Sequence, residues 1–464
     1  MRVEIDPFEI IQDFHGTRFD WVYASGDFIK ECKKRGYPTC HSTSAARPDI
    51  HEDENTPTSY RVGRGVDIHG KPLIADWQNW NPAWGCVNKP DYQELIFHDV
   101  KFAIDAGADY LQFDDPDTSH MLDWGGDKED PQTHGCFCPD CLAAFRRYLM
   151  KEVKPEDLAA LGIDDVERFD YKDYILGGNR NTTLREHYEN SYRDAIESFW
   201  RAISARADRH AKRHFPIACN NGSYTSWDSP HQLFDFAVGE LSPYDPPSPQ
   251  SLWRKALTID RLKKEQIYTL RSTDPSYTRR VMCLAYALGS PFLAPWDVWI
   301  EGSERFFGKP RDYNDLYAFV RANADWLDGY EYAAGCGREI HDQWYDDRPP
   351  VTVKGNTDAY VFVRAVPGNP TAPVVVHLVD WGEDAKPFTL LVDPQRFFPD
   401  RELKFELLKP EQHKATDHEA AEASGDFSTF SLRVPVHPEA VAGGFRLHIP
   451  RLDPWAMLIV SPSD

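Results

Sequence analysis

Short apolar segments that end in polar or acidic residues alternate with segments of helical periodicity over roughly the first 330 residues. This alternation constrains the fold more than any other feature, because a strand–helix unit repeated eight times is typical of a (β/α)8 TIM barrel of the α/β class. A doubly wound sheet is the alternative, but the sequence lacks the Gly-rich phosphate-binding loop expected after its first strand. The predicted strands are residues 19–24, 37–44, 71–77, 110–115, 215–222, 236–243, 266–272 and 290–297. The main predicted helices are residues 90–107, 184–214, 247–265, 275–289 and 312–328.

The pattern changes after residue 335, where short β-rich segments are separated by turn residues. Such a run predicts an all-β sandwich. We therefore predict a catalytic barrel at 1–335 and a C-terminal β-sandwich at 336–464. The second segment contains no cluster of acids or histidines typical of an active site, so we expect it to pack onto the barrel or to hold a homo-oligomer together.

Charge and composition exclude several classes of partner. The formal net charge is −22 and the sequence pI is about 5.2, which argues against nucleic acid as a partner. No apolar run approaches the ~20 residues of a membrane span, and MRVEIDPFEI shows no signal peptide. The nine cysteines are an odd number, and most are scattered rather than arranged as a disulfide framework. These features predict a cytoplasmic protein without membrane or nucleic-acid partners, and the alternative is an exported protein whose leader has been trimmed.

The ends of the predicted strands carry acids, amides and aromatic residues. In a TIM barrel the chemistry lies at this edge. Carboxylates and amides bind sugar hydroxyls, and aromatic rings stack on the apolar face of a sugar. We therefore predict a binding site for an oligosaccharide or glycoside. The predicted substrate-binding residues are His41, Asp76, Trp77, Asp114, Asn220, Asn221, Tyr244, Arg271, Trp296 and Asp297.

Two of the strand-end acids are candidates for catalysis. Glycoside hydrolysis needs one carboxyl group that protonates the leaving oxygen and another that attacks the sugar or activates water. Glu240 is the only Glu at a predicted strand end, and Asp115 ends the fourth predicted strand. Successive strand residues point in opposite directions, so only one of Asp114 and Asp115 is expected to face the pocket. Such acids also bind Arg or cap helices, which is the structural alternative.

The segment GCFCPDC places Cys136, Cys138 and Cys141 within six positions. Thiols this close suit zinc, which takes four ligands at structural sites. Cys86 is the best candidate for the fourth ligand, and His134 is the alternative. Four protein ligands leave no position for water, so we expect a structural zinc and no organic cofactor. The competing interpretation is three free cysteines at the start of a helix.

These motifs resemble those of the family 42 glycoside hydrolases, which are β-galactosidases. The resemblance rests on Cys86 in a C-x-x-x-P-x-Y context, the acid pair that ends the fourth predicted strand, and C-x-C-x2-C leading into LAAFRRYL. It covers residues 70–150. It implies a barrel, a zinc site at Cys86, Cys136, Cys138 and Cys141, and a proton-donor role for the acid that ends the fourth strand.

The sequence also departs from that family. The family has Asn-Glu where this chain has Asp114-Asp115, and its nucleophile is a Glu at the seventh strand, where this chain reads TLRSTDP. Acids on the fourth and sixth strands resemble instead the α-galactosidase-type barrels, in which the fourth-strand Asp is the nucleophile. We therefore predict a glycoside hydrolase that uses Asp115 and Glu240. The alternatives are an inactive carbohydrate-binding protein and a polysaccharide lyase using Arg271, Tyr244 or a histidine.

Overall fold

The computed structural model describes most of the chain, and the described residues form two compact units. The first unit contains the described residues of 22–221 and 226–237, and the second contains those of 222–225 and 238–464. The described residues are 22–23, 26–34, 38–46, 63–75, 83–222, 225–242, 246–270, 272, 274–293, 312–341, 349–411, 420–421, 423–424 and 426–463.

Six strands form a sheet in which the spatial order follows the chain order. The pairs β1–β2, β2–β3 and β3–β4 are parallel. In a doubly wound sheet the strand order reverses at a switch point, whereas each strand here lies beside its predecessor. An isolated parallel bridge also joins Tyr268 of the sixth strand to Phe292, in the eighth predicted strand. The strands are β1 (Val22–Tyr23), β2 (Thr39–Ser44), β3 (Tyr110–Asp114), β4 (Ile217–Asn220), β5 (Phe236–Leu241) and β6 (Glu265–Leu270).

The prediction of a sheet strand at 71–77 is wrong for the described part of that segment. β2 pairs directly with β3, so no strand lies between them. Pro72 and Ile74 instead form isolated antiparallel bridges with Val66 and Ala83. Proline cannot donate a hydrogen bond to a central strand, which explains why this apolar segment does not join the sheet. Leu73 is nevertheless buried, so the apolar pattern reports burial rather than sheet membership.

The helices of the first unit begin and end at recognisable residues. Pro90 begins α2, and Gly107 ends it in a left-handed conformation with φ 91°. The side chain of Asn181 caps α6 by accepting from the amide of Leu184. No described helix is long and apolar enough to cross a bilayer. These helices are α1 (Asp27–Lys34), α2 (Pro90–Ala106), α3 (Pro139–Glu152), α4 (Pro155–Ala160), α5 (Tyr171–Leu176) and α6 (Thr182–Ala211).

The second unit contains three α-helices among its described residues and two antiparallel sheets. The first of these sheets has the order β14-β13-β17-β11-β10-β7-β8, and the second has the order β15-β16-β12-β9. The helices are α7 (Pro249–Leu262), α8 (Pro275–Ala287) and α9 (Asn314–Ala322). The strands are β7 (Glu331–Gly337), β8 (Ile340–His341), β9 (Val351–Lys354), β10 (Ala359–Ala365), β11 (Val374–Asp380), β12 (Phe388–Val392), β13 (Leu403–Pro410), β14 (Ser431–Val434), β15 (Glu439–Val441), β16 (Gly444–Ile449) and β17 (Trp455–Pro462).

Aromatic side chains join the helices of the second unit to its β-strands. The ring of Trp455 in β17 stacks on Tyr286 of α8, with centroids 6.0 Å apart, and meets Phe319 of α9 edge-on at 5.0 Å. Trp455 is fully buried. The predicted domain boundary at 335/336 falls within β7, and this unit holds its three α-helices before that boundary and the strands from β8 onward after it.

Candidate functional site

One face of the neighbouring strands β2, β3 and β4 carries polar side chains near the carboxyl ends of the strands. Paired residues in parallel strands share a face, and successive residues alternate between faces. The register pairs Gln112 with Ser42, and Asp114 with Ser44. Phe113 pairs with Cys219, which places the next residue, Asn220, beside Asp114. We call the resulting set the polar face: Ser42, Ser44, Gln112, Asp114 and Asn220.

The opposite face of the same strands is covered by helices. Phe113 contacts Trp200 of α6, with ring centroids 4.8 Å apart. The ring of His41 meets Phe102 of α2 at 5.5 Å. His41 was predicted to bind substrate, but the structure places it on the helix-covered face, away from Asp114. The sequence predicted His41 at the end of a strand, whereas it lies within β2, and its face depends on the register with β3.

Asp114 is half-buried and is held by two neighbours. The side-chain amide of Gln112 donates to Asp114 Oδ1 at 3.1 Å, and the backbone amide of Ala45 donates to the Asp114 carbonyl at 2.8 Å. Gln112 is itself only 5% exposed. A buried amide that donates to a carboxylate helps to orient it, so Gln112 is one determinant of the direction of the Asp114 side chain.

Asp115 follows the last residue of β3 and adopts a left-handed backbone conformation with φ 50°. Asp tolerates this region better than most residues other than Gly. Its side chain is half-buried. The next residue, Pro116, accepts a hydrogen bond at its carbonyl from the indole of Trp200, at 2.9 Å. The acid pair therefore lies at the carboxyl end of β3, and the backbone after it is tied to α6.

The other predicted site residues fall into three groups. Glu240 lies in β5 and is exposed, and it belongs to the second unit. Its side chain is on the same face of the strand as that of Phe236, four residues earlier. Asn221 is buried and its side chain donates to the carbonyl of Ser226 at 3.1 Å, which shapes the turn after β4. The remaining predictions lie outside the described residues: Asp76, Trp77, Tyr244, Arg271, Trp296 and Asp297.

The four cysteines predicted to bind metal come together in a buried group, which we call the cysteine cluster. Cys86 Sγ lies 3.3 Å from Cys141 Sγ and 3.6 Å from Cys138 Sγ, and the four sulfurs, including that of Cys136, lie within 4.8 Å of one another. All four are free thiols and at most 3% exposed. Zinc–sulfur bonds of about 2.3 Å in a tetrahedron place sulfurs about 3.8 Å apart, so these residues fit a metal ion of that kind.

Local structure orients the sulfurs of the cysteine cluster. Cys138 is the N-cap of α3, where its sulfur accepts from the amide of Cys141 at 3.5 Å. The amide of Val66 donates to Cys136 Sγ at 3.4 Å, and the Asn88 side chain donates to Cys141 Sγ at 3.4 Å. The predicted alternative ligand, His134, directs Nε2 to the carbonyl of Asp127 at 3.1 Å.

Electrostatics favour a cation in the cysteine cluster. Burial raises the pKa of Cys86, whereas hydrogen bonds from the neighbouring thiols lower the pKa of Cys138. These opposite directions reflect one cause, since several thiolates cannot ionise together in a buried site without a compensating charge. A divalent metal ion would supply such a charge, and the buried four-cysteine group could hold one.

Comparison with known proteins gives two distant curated relatives. No family model matches the chain. It is 28% identical over 289 residues to an alpha-agarase of Thalassotalea agarivorans, which covers 54% of this chain and 19% of that protein. It is 25% identical over 295 residues to an alpha-agarase of Alteromonas agarilytica, covering 56% of this chain and 20% of that protein. The matched region thus spans about a fifth of the length of these relatives.

Among solved structures, the fold is similar to that of a cycloisomaltooligosaccharide glucanotransferase of Paenibacillus sp. solved with cycloisomaltoheptaose. The TM-score is 0.55 at 9% identity, over 93% of this chain and 74% of that chain. This likeness concerns the fold alone. The alpha-agarase relatives support the prediction of a glycoside hydrolase. The resemblance to family 42 is not confirmed by these comparisons and stays a prediction.

Proposed function

We propose that this chain is a glycoside hydrolase that cleaves an oligosaccharide at the carboxyl ends of the strands of this sheet, beside the polar face. The observation that carries the proposal is the acid pair Asp114-Asp115 at the carboxyl end of β3, beside the amide of Asn220, in a chain similar to alpha-agarases. Amide and hydroxyl groups on this face suit sugar hydroxyls. Agarose oligosaccharides are the first substrates to test, because both curated relatives are alpha-agarases.

The proposed reaction uses Asp115 and Glu240 as the two carboxyl groups. One protonates the glycosidic oxygen as the bond breaks, and the other attacks the anomeric carbon or activates the water that does so. Asp114 is the second candidate for the β3 acid, since it shares the polar face with Gln112 and Asn220. Gln112 and Asn220 are proposed to orient the carboxylate and to bind substrate hydroxyls.

The proposal includes a (β/α)8 TIM barrel and a structural metal ion. The sequential order of β1 to β6 and the bridge between Tyr268 and Phe292 support a sheet that continues toward closure. Cys86, Cys136, Cys138 and Cys141 are proposed to hold zinc. Four thiolates complete a tetrahedral coordination sphere, so the ion would stabilise the fold and take no part in the reaction.

The test compares Asp115→Asn, Asp114→Asn and Glu240→Gln with the parent protein on agarose oligosaccharides and a panel of aryl glycosides. Loss of a catalytic carboxyl should lower kcat by roughly a thousandfold or more. Asp105→Asn is the matched control, because this exposed acid of α2 pairs with His210 and lies in no proposed site. It should retain full activity.

Each other result identifies a different error. If Asp115→Asn stays active while Asp114→Asn is inactive, the β3 acid is Asp114. If Glu240→Gln is as active as the parent protein, Glu240 is not the partner carboxyl. Sugar binding without cleavage would indicate an inactive carbohydrate-binding protein, and ultraviolet absorbance from an unsaturated product would indicate a lyase.

A further inference from the structure

The loop from residue 115 to residue 138 is held along its length by side chains from one face of α6. Arg185 donates to the carbonyls of His134 and Leu122, at 2.6 and 3.0 Å. Tyr188 donates through its hydroxyl to the carbonyl of Cys136. Trp200 completes the series at the other end of the loop. These three donors are buried and all belong to α6, so the conformation of the loop depends on a helix that follows it in sequence.

Trp200 contacts the chain on both sides of the acid pair. Its ring lies against Phe113, the residue before the pair, with centroids 4.8 Å apart. Its indole N–H donates to the carbonyl of Pro116, the residue after the pair, at 2.9 Å. Trp200 is 3% exposed, and Phe199 and Phe234 fix its ring at 4.9 and 5.0 Å. A single rigid side chain thus sets both ends of the Asp114-Asp115 segment.

The backbone between these two contacts needs such support. Asp115 is left-handed, with φ 50°, and a residue other than Gly keeps that conformation only where its surroundings determine it. Without the indole N–H, the Pro116 carbonyl would lose its described donor in a buried setting and would seek another. The Pro116 carbonyl belongs to the peptide that follows the acid pair, so its hydrogen bond to Trp200 restricts movement of the backbone directly after Asp115.

We propose that Trp200 is a positioning residue for the carboxyl groups of Asp114 and Asp115, acting through its hydrogen bond to Pro116. The inference rests on the proposed function, because its catalytic consequence requires that one of these acids reacts. A catalytic group must be held within about 0.5 Å of its productive position, and a displacement of about 1 Å can cost roughly a hundredfold in rate.

The experiment replaces Trp200 by Phe, which keeps an aromatic ring and removes the donor. Trp253→Phe is the matched control, because its indole donates at 2.8 Å to the hydroxyl of Tyr332 in the second unit and makes no described contact with the acid pair. We expect Trp200→Phe to lower kcat on agarose oligosaccharides by about 10- to 100-fold, with KM within a factor of two and a displaced pH profile. Trp253→Phe should leave kcat, KM and the pH profile unchanged.

A second variant separates the hydrogen bond from packing. Replacing Trp200 by benzothienylalanine keeps the shape of the ring and substitutes sulfur for the N–H, so it should fold and show the same fall in kcat. If this isostere retains the parent kcat and pH profile, the proposal is wrong. The proposal is also refuted if Trp200→Phe and Trp253→Phe lower kcat by the same factor, since an equal loss would reflect general destabilisation.

Hydrogen–deuterium exchange tests the same inference without substrate. The isostere should raise the exchange rate of amides in residues 110–120 several-fold while peptides of α2 and α3 exchange as in the parent protein. Unchanged exchange in residues 110–120 would refute the positioning role. If the parent protein cleaves no substrate but this exchange result is obtained, the proposed function fails while the structural role of Trp200 stands.

Discussion

The cysteine cluster gives a stability prediction whose size follows from the chain connectivity. A metal ion bound by Cys86 and Cys141 closes a loop across the 55 positions that separate them. Replacing Cys86 by Ser removes this closure, and it also leaves the other three thiols without a complete ligand set. The perturbation should therefore lower both metal content and the free energy of unfolding.

The magnitude can be estimated from loop-closure entropy. For a cross-link that closes about 55 residues, the restriction of the unfolded chain contributes about 4 kcal/mol at 25 °C. For a cooperative unit of roughly 200 residues, 1 kcal/mol corresponds to about 2–4 °C in Tm, so the expected fall is roughly 8–16 °C. Acid should act in the same direction, because protons compete with the metal for thiolates as the pH falls.

The assay combines metal analysis by mass spectrometry with thermal unfolding followed by near-ultraviolet circular dichroism. The parent protein should contain about one zinc per chain, and a chelator should lower its Tm to that of Cys86→Ser. Cys32→Ser is the control, since Cys32 is also a buried cysteine of the first unit but lies outside the cysteine cluster. Two results would refute the reasoning: a parent protein whose Tm does not respond to zinc or chelator, or a Cys86→Ser variant with normal metal content.

Two further predictions concern the second unit. Arg279 and Asp315 form a bidentate ion pair at 2.6 and 2.7 Å in a buried setting. Asp315→Ala should lower the free energy of unfolding in urea by about 3–5 kcal/mol, because it removes the carboxylate that pairs with the guanidinium. A loss below about 1 kcal/mol would contradict this prediction. Burial lowers the pKa of His377, which accepts from the Trp455 indole at 3.3 Å. The unfolded chain therefore binds a proton that the folded chain does not, so stability is full above the unfolded pKa of about 6.5 and falls by up to about 1.4 kcal/mol per pH unit below it. His377→Phe should flatten that slope in unfolding measured between pH 7 and pH 5, and an unchanged slope would show that other groups dominate.

Local signals in the sequence predicted several elements well. Pro90 and Gly107 marked the ends of α2 correctly, because proline suits the first turn of a helix and glycine suits its left-handed end. The spacing of Cys136, Cys138 and Cys141 predicted that these thiols lie together, and Cys86 joins them in a buried group that could hold a metal ion. The chemistry of such features is local, and it requires little knowledge of the rest of the fold.

Features that depend on the register between strands could not be predicted from the pattern of apolar residues in the sequence. The apolar segment around Leu73 resembles a strand, because burial alone and membership of a sheet produce the same pattern of apolar residues. Pro72 was the signal against a central strand. The face on which His41 lies is decided by its pairing with Leu111. The role of Trp200 was invisible for a similar reason, since its hydrogen bond spans 84 positions of the chain.

The loop after β3 has anchored parts, which tolerate little change of sequence, and an exposed tip, which tolerates more. Pro116, Leu122, His134 and Cys136 are fixed through their carbonyls to α6, whereas the tip at 127–129 is exposed. Mutations and insertions at the tip can therefore accumulate while the acid-bearing end keeps its geometry. The tip is therefore the part of this loop where a change of sequence should disturb the acid pair least.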